Sequence, residues 1–441
     1  MSNKSSINDP RFPDKPVILI TGATGAVGYG ICLRLLYQLS QPIQDDLSRP
    51  STRLKADLNS EDDEEEDVDS QSVYATPNGV TILIGCRNQQ KGEFTRSRLM
   101  ESLKKLFIKY RRTDEDETLY SYIDQLTGQL ETMSFESYRK RWLDNLTIEG
   151  IEIDLYRAQS VIKAVKEIDQ HYGYLTHLIL NAGGGPFVGI DWLGLIRAFI
   201  KDMVHAVTYP NYMIESKTVS ETIDHLPETW QLNVFSHYLL ANEALTLLSR
   251  STSSAKARII WTGSLDGQRS YFDRLDCQCF KTGNSYQSSK YQVEILGQGF
   301  ASRIQEGGFS ERVTSTVAHP GVVAGNMFLP IIGQFMDWMM KIVFYFTRTV
   351  LGSPNHIVDA YSAALVWSYL CLAERISEKV KTKELPSSIR YGVQCNRWGD
   401  PIVVVEEEKD QQEVEARIID QRIVFETCDK YSVALRRIWE N

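Results

Sequence analysis

Six short runs of β-branched and apolar residues recur along the chain, separated by amphipathic stretches. They are Pro16–Thr21 (PVILIT), Val80–Gly85 (VTILIG), Ile151–Leu155 (IEIDL), Leu175–Leu180 (LTHLIL), Arg258–Thr262 (RIIWT) and Val313–Ala318 (VTSTVA). Their length and composition predict buried strands. Helices are expected at Gly28–Leu39, Ala158–Tyr172, a segment containing Trp230–Leu248, and Tyr286–Ile304. In the second of these, Val161, Ile162, Val165 and Ile168 recur at helical spacing. The charged stretch Glu93–Leu146 predicts helices near Phe94–Tyr110 and Leu119–Leu143. It exceeds one crossover helix, so residues 93–149 are read as carrying a helical insertion. Six-fold alternation predicts an α/β fold: a doubly wound parallel sheet covered on both faces. A single such domain is expected over residues 16–405, with a helical tail at 406–441.

Charge changes this picture in one place. The chain has 441 residues and a net charge of −9. Between Asp45 and Asp69 there are eleven acidic and three basic residues, so this segment carries −8 and the remainder about −1. Such a block cannot bury a core, and residues 40–79 are read as an acidic disordered insertion, with an electrostatic tail as the alternative. Residues 1–15 are polar and read as a disordered N-terminus. The body has no basic excess, which argues against nucleic acid as a partner. Seven scattered cysteines lack disulfide or metal spacing and read as reduced thiols in a cytosolic setting. No metal is expected.

The candidate chemistry sits at strand ends. Thr21-Gly22-Ala23-Thr24-Gly25-Ala26-Val27-Gly28 follows a strand and opens a helix, the context a dinucleotide-binding turn requires. Its glycines permit a tight turn and bring backbone amides close to a pyrophosphate, whose charge the helix N-terminus stabilises. Arg87 follows the second strand, where an arginine pairs with a ribose 2′-phosphate and an acid would favour the 2′-hydroxyl. That points to NADP(H). Asp154-Leu155 and Asn181-Ala182-Gly183 end the third and fourth strands, where each reads either as a contact to adenine and ribose or as a helix cap or turn. Tyr286 and Lys290, at i and i+4, share one helix face. A lysine cation beside a phenol lowers its pKa from near 10. Ser264, just after a strand, offers a hydroxyl for a carbonyl oxygen.

Together these residues resemble the short-chain dehydrogenase/reductase family over roughly Pro16 to Val323. The resemblance implies Thr21, Gly22, Thr24, Gly25, Val27 and Gly28 as the cofactor loop. It implies Ser264, Tyr286 and Lys290 as the catalytic set, and Asn233 as anchor of the lysine's water relay. Pro320, Gly321, Val322 and Val323 match the turn beside nicotinamide. Two departures are evident: Ala26 replaces the loop's middle glycine, and Gly325 replaces a frequent threonine. A narrower likeness is to the fungal 3-keto-sterol reductases. It rests on Ile-Gly-Cys-Arg-Asn (84–88), Asn-Ala-Gly-Gly (181–184), Tyr-Gln-Ser-Ser-Lys-Tyr-Gln (286–292), His319-Pro320-Gly321-Val322 and Tyr391–Val405. It implies NADPH-dependent reduction of the 3-ketone of a C4-demethylated sterol, at the cytosolic face of the endoplasmic reticulum or on lipid droplets. Implied partners are a sterol ketone, other sterol enzymes, a membrane surface and a second copy of the chain.

Met327–Leu351 fits a lipid-handling role. Gln334, Asp337, Lys341 and Arg348 form a narrow polar stripe on an otherwise apolar helix, too interrupted to span a bilayer. Three readings stay open for residues 326–352: a lid, a membrane-contact helix, and a core or dimer helix. Val358–Ala373 reads as a core helix. For function, the alternatives are a reductase of another lipophilic carbonyl (a retinal or a 17-ketosteroid) and a non-catalytic scaffold for sterol enzymes.

Overall fold

The structure is a computed structural model. It describes residues 15–43, 46, 53–54, 72, 74, 76–111, 119–123, 129–253, 255–281, 283–325, 327–373, 389–408 and 410–440. Most of the acidic segment and nearly all of the N-terminal stretch lie outside these.

Eight strands carry the central sheet: β1 (Val17–Thr21), β2 (Thr81–Cys86), β3 (Thr147–Glu152), β4 (His177–Leu180), β5 (Ala257–Thr262), β6 (Val313–His319), β7 (Ile389–Cys395) and β8 (Pro401–Glu407). Their order is β8-β7-β6-β5-β4-β1-β2-β3, with Arg53–Leu54 adding a short ninth strand beyond β8. That pair lies inside the stretch expected to be disordered. β1 to β7 pair in parallel, and only β8 runs antiparallel, to β7. The order reverses between β1 and β4, the switch point where such sheets bind ligands beyond their strand C-termini.

β1, β2 and β5 are buried throughout; Arg258 within β5 is accommodated by donating to the Leu370 and Ala373 carbonyls. β3 departs from expectation. It starts four residues before Ile151 and ends at Glu152, three before Leu155, because Thr81 pairs with Thr147 and the register runs on to Cys86 and Glu152. As an edge strand it tolerates Thr147, Glu149 and Glu152.

The helices are α1 (Ala26–Leu39), α2 (Gln89–Lys109), α3 (Phe135–Asp144), α4 (Ala158–Tyr172), α5 (Trp192–Lys201), α6 (Met203–Thr208), α7 (Ser236–Ser249), α8 (Ser285–Glu306), α9 (Leu329–Thr349), α10 (Leu365–Leu372) and α11 (Gln411–Glu440). α4, α7, α8 and α11 pack on one sheet face, around Trp230, Tyr291 and Phe300; α1, α2, α3 and α10 pack on the other, around Ile31, Trp142 and Trp367. The helix expected over Leu119–Leu143 is only partly present. Leu119–Ile123 and Leu130–Ser134 pair antiparallel, and among the described residues of this stretch α3 alone is helical. The alternation Leu-Tyr-Ser-Tyr-Ile is strand-like, and Ser134 caps α3 by accepting from the Ser137 amide. Val358–Ala373 is helical over Ala360–Ala363 and α10, with Val358 itself ending the strand His356–Val358.

Candidate active site

A cavity of about 1240 Å³ opens at the C-terminal ends of β1, β2, β4, β5 and β6. One end is a glycine-lined cradle. Gly22 has φ +67°, and a Cβ on it would lie 2.7 Å from the Ala182 Cα. A Cβ on Gly28 would lie 2.4 Å from the Gly22 carbonyl oxygen. Neither position admits a larger residue without moving backbone. Gly25 caps α1 with no side-chain bond, and no acid lies in the first turn, so the amides there remain open to an anion. Ala26 is the first helical residue and has a negative φ, which is why alanine serves in place of glycine.

Thr21 has a different task from its neighbours. Its hydroxyl accepts from the Asn181 (2.9 Å) and Ala182 (3.1 Å) amides. It also bonds His237 Nε2 at 3.1 Å. His237 Nδ1 lies 3.0 Å from the Asn233 carbonyl, which can only accept, so Nδ1 carries the proton and Nε2 accepts from Thr21. Burial pushes His237 down to about 4, so this ring is neutral. The side chain of Thr21 thus ties β1 to β4 and α7, and Asn181 adds a bond from Nδ2 to the Thr21 carbonyl (3.0 Å).

Thr24, Val27, Arg87, Leu155, Gly183, Pro320, Gly321, Val322 and Val323 all line the cavity. Asp154 does not. β3 ends before it, and its carboxylate accepts from its own turn's Tyr156 amide (3.1 Å) and pairs with Arg157 (3.6 Å). Beside exposed Arg87, two residues the sequence did not single out also face the cavity, Lys91 and Tyr156. The Arg87 guanidinium lies over the Tyr156 ring, 5.1 Å from its centre.

In the middle of the cavity, Ser264, Tyr286 and Lys290 come together. Lys290 is buried and donates to the Thr262 carbonyl (3.1 Å). A Cβ on Gly183 would lie 3.1 Å from Lys290 Nζ and 3.2 Å from Asn233 Oδ1, so the glycine backbone approaches this pair closely. Asn233 sits behind the cavity wall. Its Nδ2 donates to the Gly184 carbonyl and to Ser289 Oγ, both at 2.8 Å, and its Oδ1 accepts from the Gly184 amide (3.0 Å). It lies in a π-helical turn, Gln231–Phe235, a local widening that occurs often at functional sites.

Electrostatics differ from expectation. Burial, together with the charge of Asp266, pushes Tyr286 up to about 12, while a hydrogen bond with Ser264 pulls the other way. Burial pushes Lys290 down to about 8. Burial comes first in holding the phenol protonated, and the Asp266 charge adds to it. Asp266 is itself buried, and burial and Glu215 raise it to about 6. Both acids escaped the sequence reading because their roles depend on contacts across the fold.

The other end of the cavity is apolar, walled by α5, α6 and α9 with Trp192, Leu195, Phe199, Met336, Met340 and Phe344. α9 is inverted relative to an ordinary surface helix. Asp337 and Arg348 are buried, Lys341 pairs with Asp337 (2.7 Å), and Arg348 donates to the Ile357 carbonyl (3.0 Å). Phe335 is 70% exposed and Trp338 57%, with Ile342, Tyr345 and Phe346 also outward. On α5, Leu193, Ile196 and Ile200 are outward too. Among the described residues, no helix is long and apolar enough to cross a membrane.

The loop between Ser264 and α8 is held from far away. Buried Asp420 on α11 accepts from Arg269 (2.8 Å), Arg274 (2.5 Å) and the Tyr291 hydroxyl (3.0 Å).

A glycine cradle at the sheet's switch point, leading to a serine, tyrosine and lysine beside an apolar chamber, is the layout of a nicotinamide-dependent oxidoreductase. The short chain dehydrogenase family profile matches residues 136–332, somewhat under half of the chain. Three similar proteins carry the name 3-keto-steroid reductase. The 3-keto-steroid reductase ERG27 of Saccharomyces cerevisiae is 28% identical over 286 residues, 65% of this chain and 77% of that one. The erg27 protein of Schizosaccharomyces pombe is 26% identical over 382 residues, covering 86% and 87%. A 3-keto-steroid reductase of Eremothecium gossypii is 32% identical over 212 residues, covering 48% and 58%.

Proposed function

We propose that this protein reduces the 3-ketone of a C4-demethylated sterol to the 3β-alcohol with NADPH. The observation that carries the reading is the placement of Ser264, Tyr286 and Lys290 where the dinucleotide cradle meets the apolar chamber. The names of the relatives supply the substrate class. Arg87 and Lys91, two cations at the ribose end, favour a 2′-phosphate.

The glycine turn and the α1 N-terminus would hold the pyrophosphate, and Lys290 the nicotinamide ribose. When bound, the cofactor supplies hydride. Ser264 and Tyr286 hydroxyls hold the ketone oxygen and stabilise the negative charge developing there. Tyr286 then gives its proton to that oxygen as general acid. With Tyr286 near 12 and Lys290 near 8, at neutral pH the phenol keeps its proton and the lysine its charge. Asn233 anchors the relay that returns a proton toward Lys290. The outward aromatic face of α9 and α5, at the rim of the apolar chamber, suits delivery from a lipid surface such as the cytosolic leaflet of the endoplasmic reticulum.

Purified protein should oxidise NADPH when given a 4-demethylated 3-ketosterol. Tyr286→Phe should lower kcat by ~10²–10⁴-fold while retaining NADPH binding. Full activity in that variant would remove the acid from the mechanism.

A further inference from the structure

The helix that carries Tyr286 begins without a cap of its own. Asn284 occupies the capping position and makes no side-chain bond to the first turn. The donors there are instead taken by Glu215, some seventy residues earlier. Its Oε2 accepts from the Ser285 amide (2.7 Å) and hydroxyl (2.8 Å), and its Oε1 from the Tyr286 amide (2.8 Å). Glu215 is buried.

A second contact comes from the same hairpin. Glu215 is the cross-strand partner of Phe187, in the pair Phe187–Ile190 and Met213–Glu215. The Phe187 ring meets the Tyr286 ring edge-on at 5.3 Å, and is braced behind by Phe328 at 5.5 Å. One rung of one hairpin thus grips the tyrosine twice, at its backbone amide and at its ring. The segment spanning this hairpin also forms the chamber wall through Ile190, Leu195, Phe199 and Tyr212.

We propose that Glu215 is a positioning residue for Tyr286, and that with Phe187 it ties the substrate-facing wall to the acid. The proposal rests on the reductase reading. It follows from geometry: a general acid acts within hydrogen-bond reach, and a displacement of ~1 Å can cost ~10²-fold in rate. A glutamine at 215 keeps the length but offers one acceptor oxygen to three donors, and loses the charge that favours a helix N-terminus.

The test combines kinetics, NADPH binding and amide hydrogen exchange on the full chain. Glu215→Gln should lower kcat by roughly ten-fold or more. Its NADPH affinity, by fluorescence titration, should stay within about two-fold because the cradle is untouched. Exchange at the Ser285 and Tyr286 amides should quicken. Phe187→Leu should lower kcat while leaving that exchange unchanged. Two folded variants with wild-type kcat, or unaltered exchange in Glu215→Gln, would overturn the proposal. Should Glu215→Gln not fold, the kcat of Phe187→Leu decides alone. If the wild-type protein reduces no ketosterol, the reductase reading fails, and the exchange measurement still decides whether Glu215 holds this helix.

Discussion

Replacing Gly28 with alanine sets two magnitudes against each other. In an ordinary helix interior the change stabilises by ~0.5–1 kcal/mol, since glycine loses more freedom on folding. At Gly28 the new Cβ would lie 2.4 Å from the Gly22 oxygen, 2.7 Å from Asn181 Nδ2 and 2.8 Å from the Ala23 Cα. Two of these three are backbone. The third is the amide that bonds the Thr21 carbonyl, so it cannot swing away without releasing the end of β4. Overpacking of this kind costs ~1–3 kcal/mol, which outweighs the gain in propensity. The expected outcome is a protein less stable by ~1–2 kcal/mol, with NADPH affinity reduced at least ~10-fold because the same shift widens the phosphate cradle. Gly283→Ala is the control, since a Cβ there meets nothing within 4 Å. Thermal melting and NADPH fluorescence titration read the two effects. A Gly28→Ala protein that melts at or above wild type and binds NADPH equally well would refute the reasoning.

Three further outcomes are expected. Arg87→Ala should raise the KM for NADPH by ~10–100-fold, the loss of one or two charge-assisted bonds, and leave the KM for NADH nearly unchanged; equal effects on both would place Arg87 elsewhere. Asp266→Asn should stabilise the protein by roughly 2–3 kcal/mol at neutral pH. Folding raises this carboxyl from 3.8 to about 6, in a setting shared with Glu215, Tyr209, Tyr271 and Tyr286. Stability is therefore lost as pH rises from about 4 through about 6, and the variant's advantage should vanish at pH 4; melting curves offset equally at pH 4 and pH 8 would contradict this. Finally, Phe335→Ser with Trp338→Ser should reduce co-sedimentation with phospholipid vesicles by more than ~10-fold, given ~1.5–3 kcal/mol for each large side chain inserted. Unchanged sedimentation would argue against lipid contact through α9.

The parts of the fold visible in the sequence were those decided by local burial. β1, β2, β4 and β5 are short, mainly apolar runs because both faces of an inner parallel strand are covered, and β6 shows through its β-branched residues; each expected run lies within two residues of the strand's bounds. β3 was misplaced because an edge strand carries polar residues, and its register is set by β2. The paired strands within residues 119–134 are hidden in the sequence because charged, mixed composition masks their alternation. The same division holds for the site. Residues at strand ends and on one helix face were legible, since parallel strands deliver their C-terminal ends to one place. Asp154 follows β3 by two residues, and its carboxylate turns back to the Tyr156 amide and Arg157 while Leu155 beside it lines the cavity. Glu215 and Asp266 were invisible for another reason. A glutamate before α8 in space, but seventy residues earlier in the chain, leaves no local pattern to find.

The contacts of Asp420 make assembly a matter of chain order. A nascent polypeptide that has already emerged as far as Tyr286 and Lys290 still lacks the carboxylate that Arg269, Arg274 and Tyr291 require. The loop facing the reacting groups closes only after more than a hundred further residues have been synthesised and α11 has docked. A premature stop codon between these points would yield a chain with every catalytic side chain and no finished site.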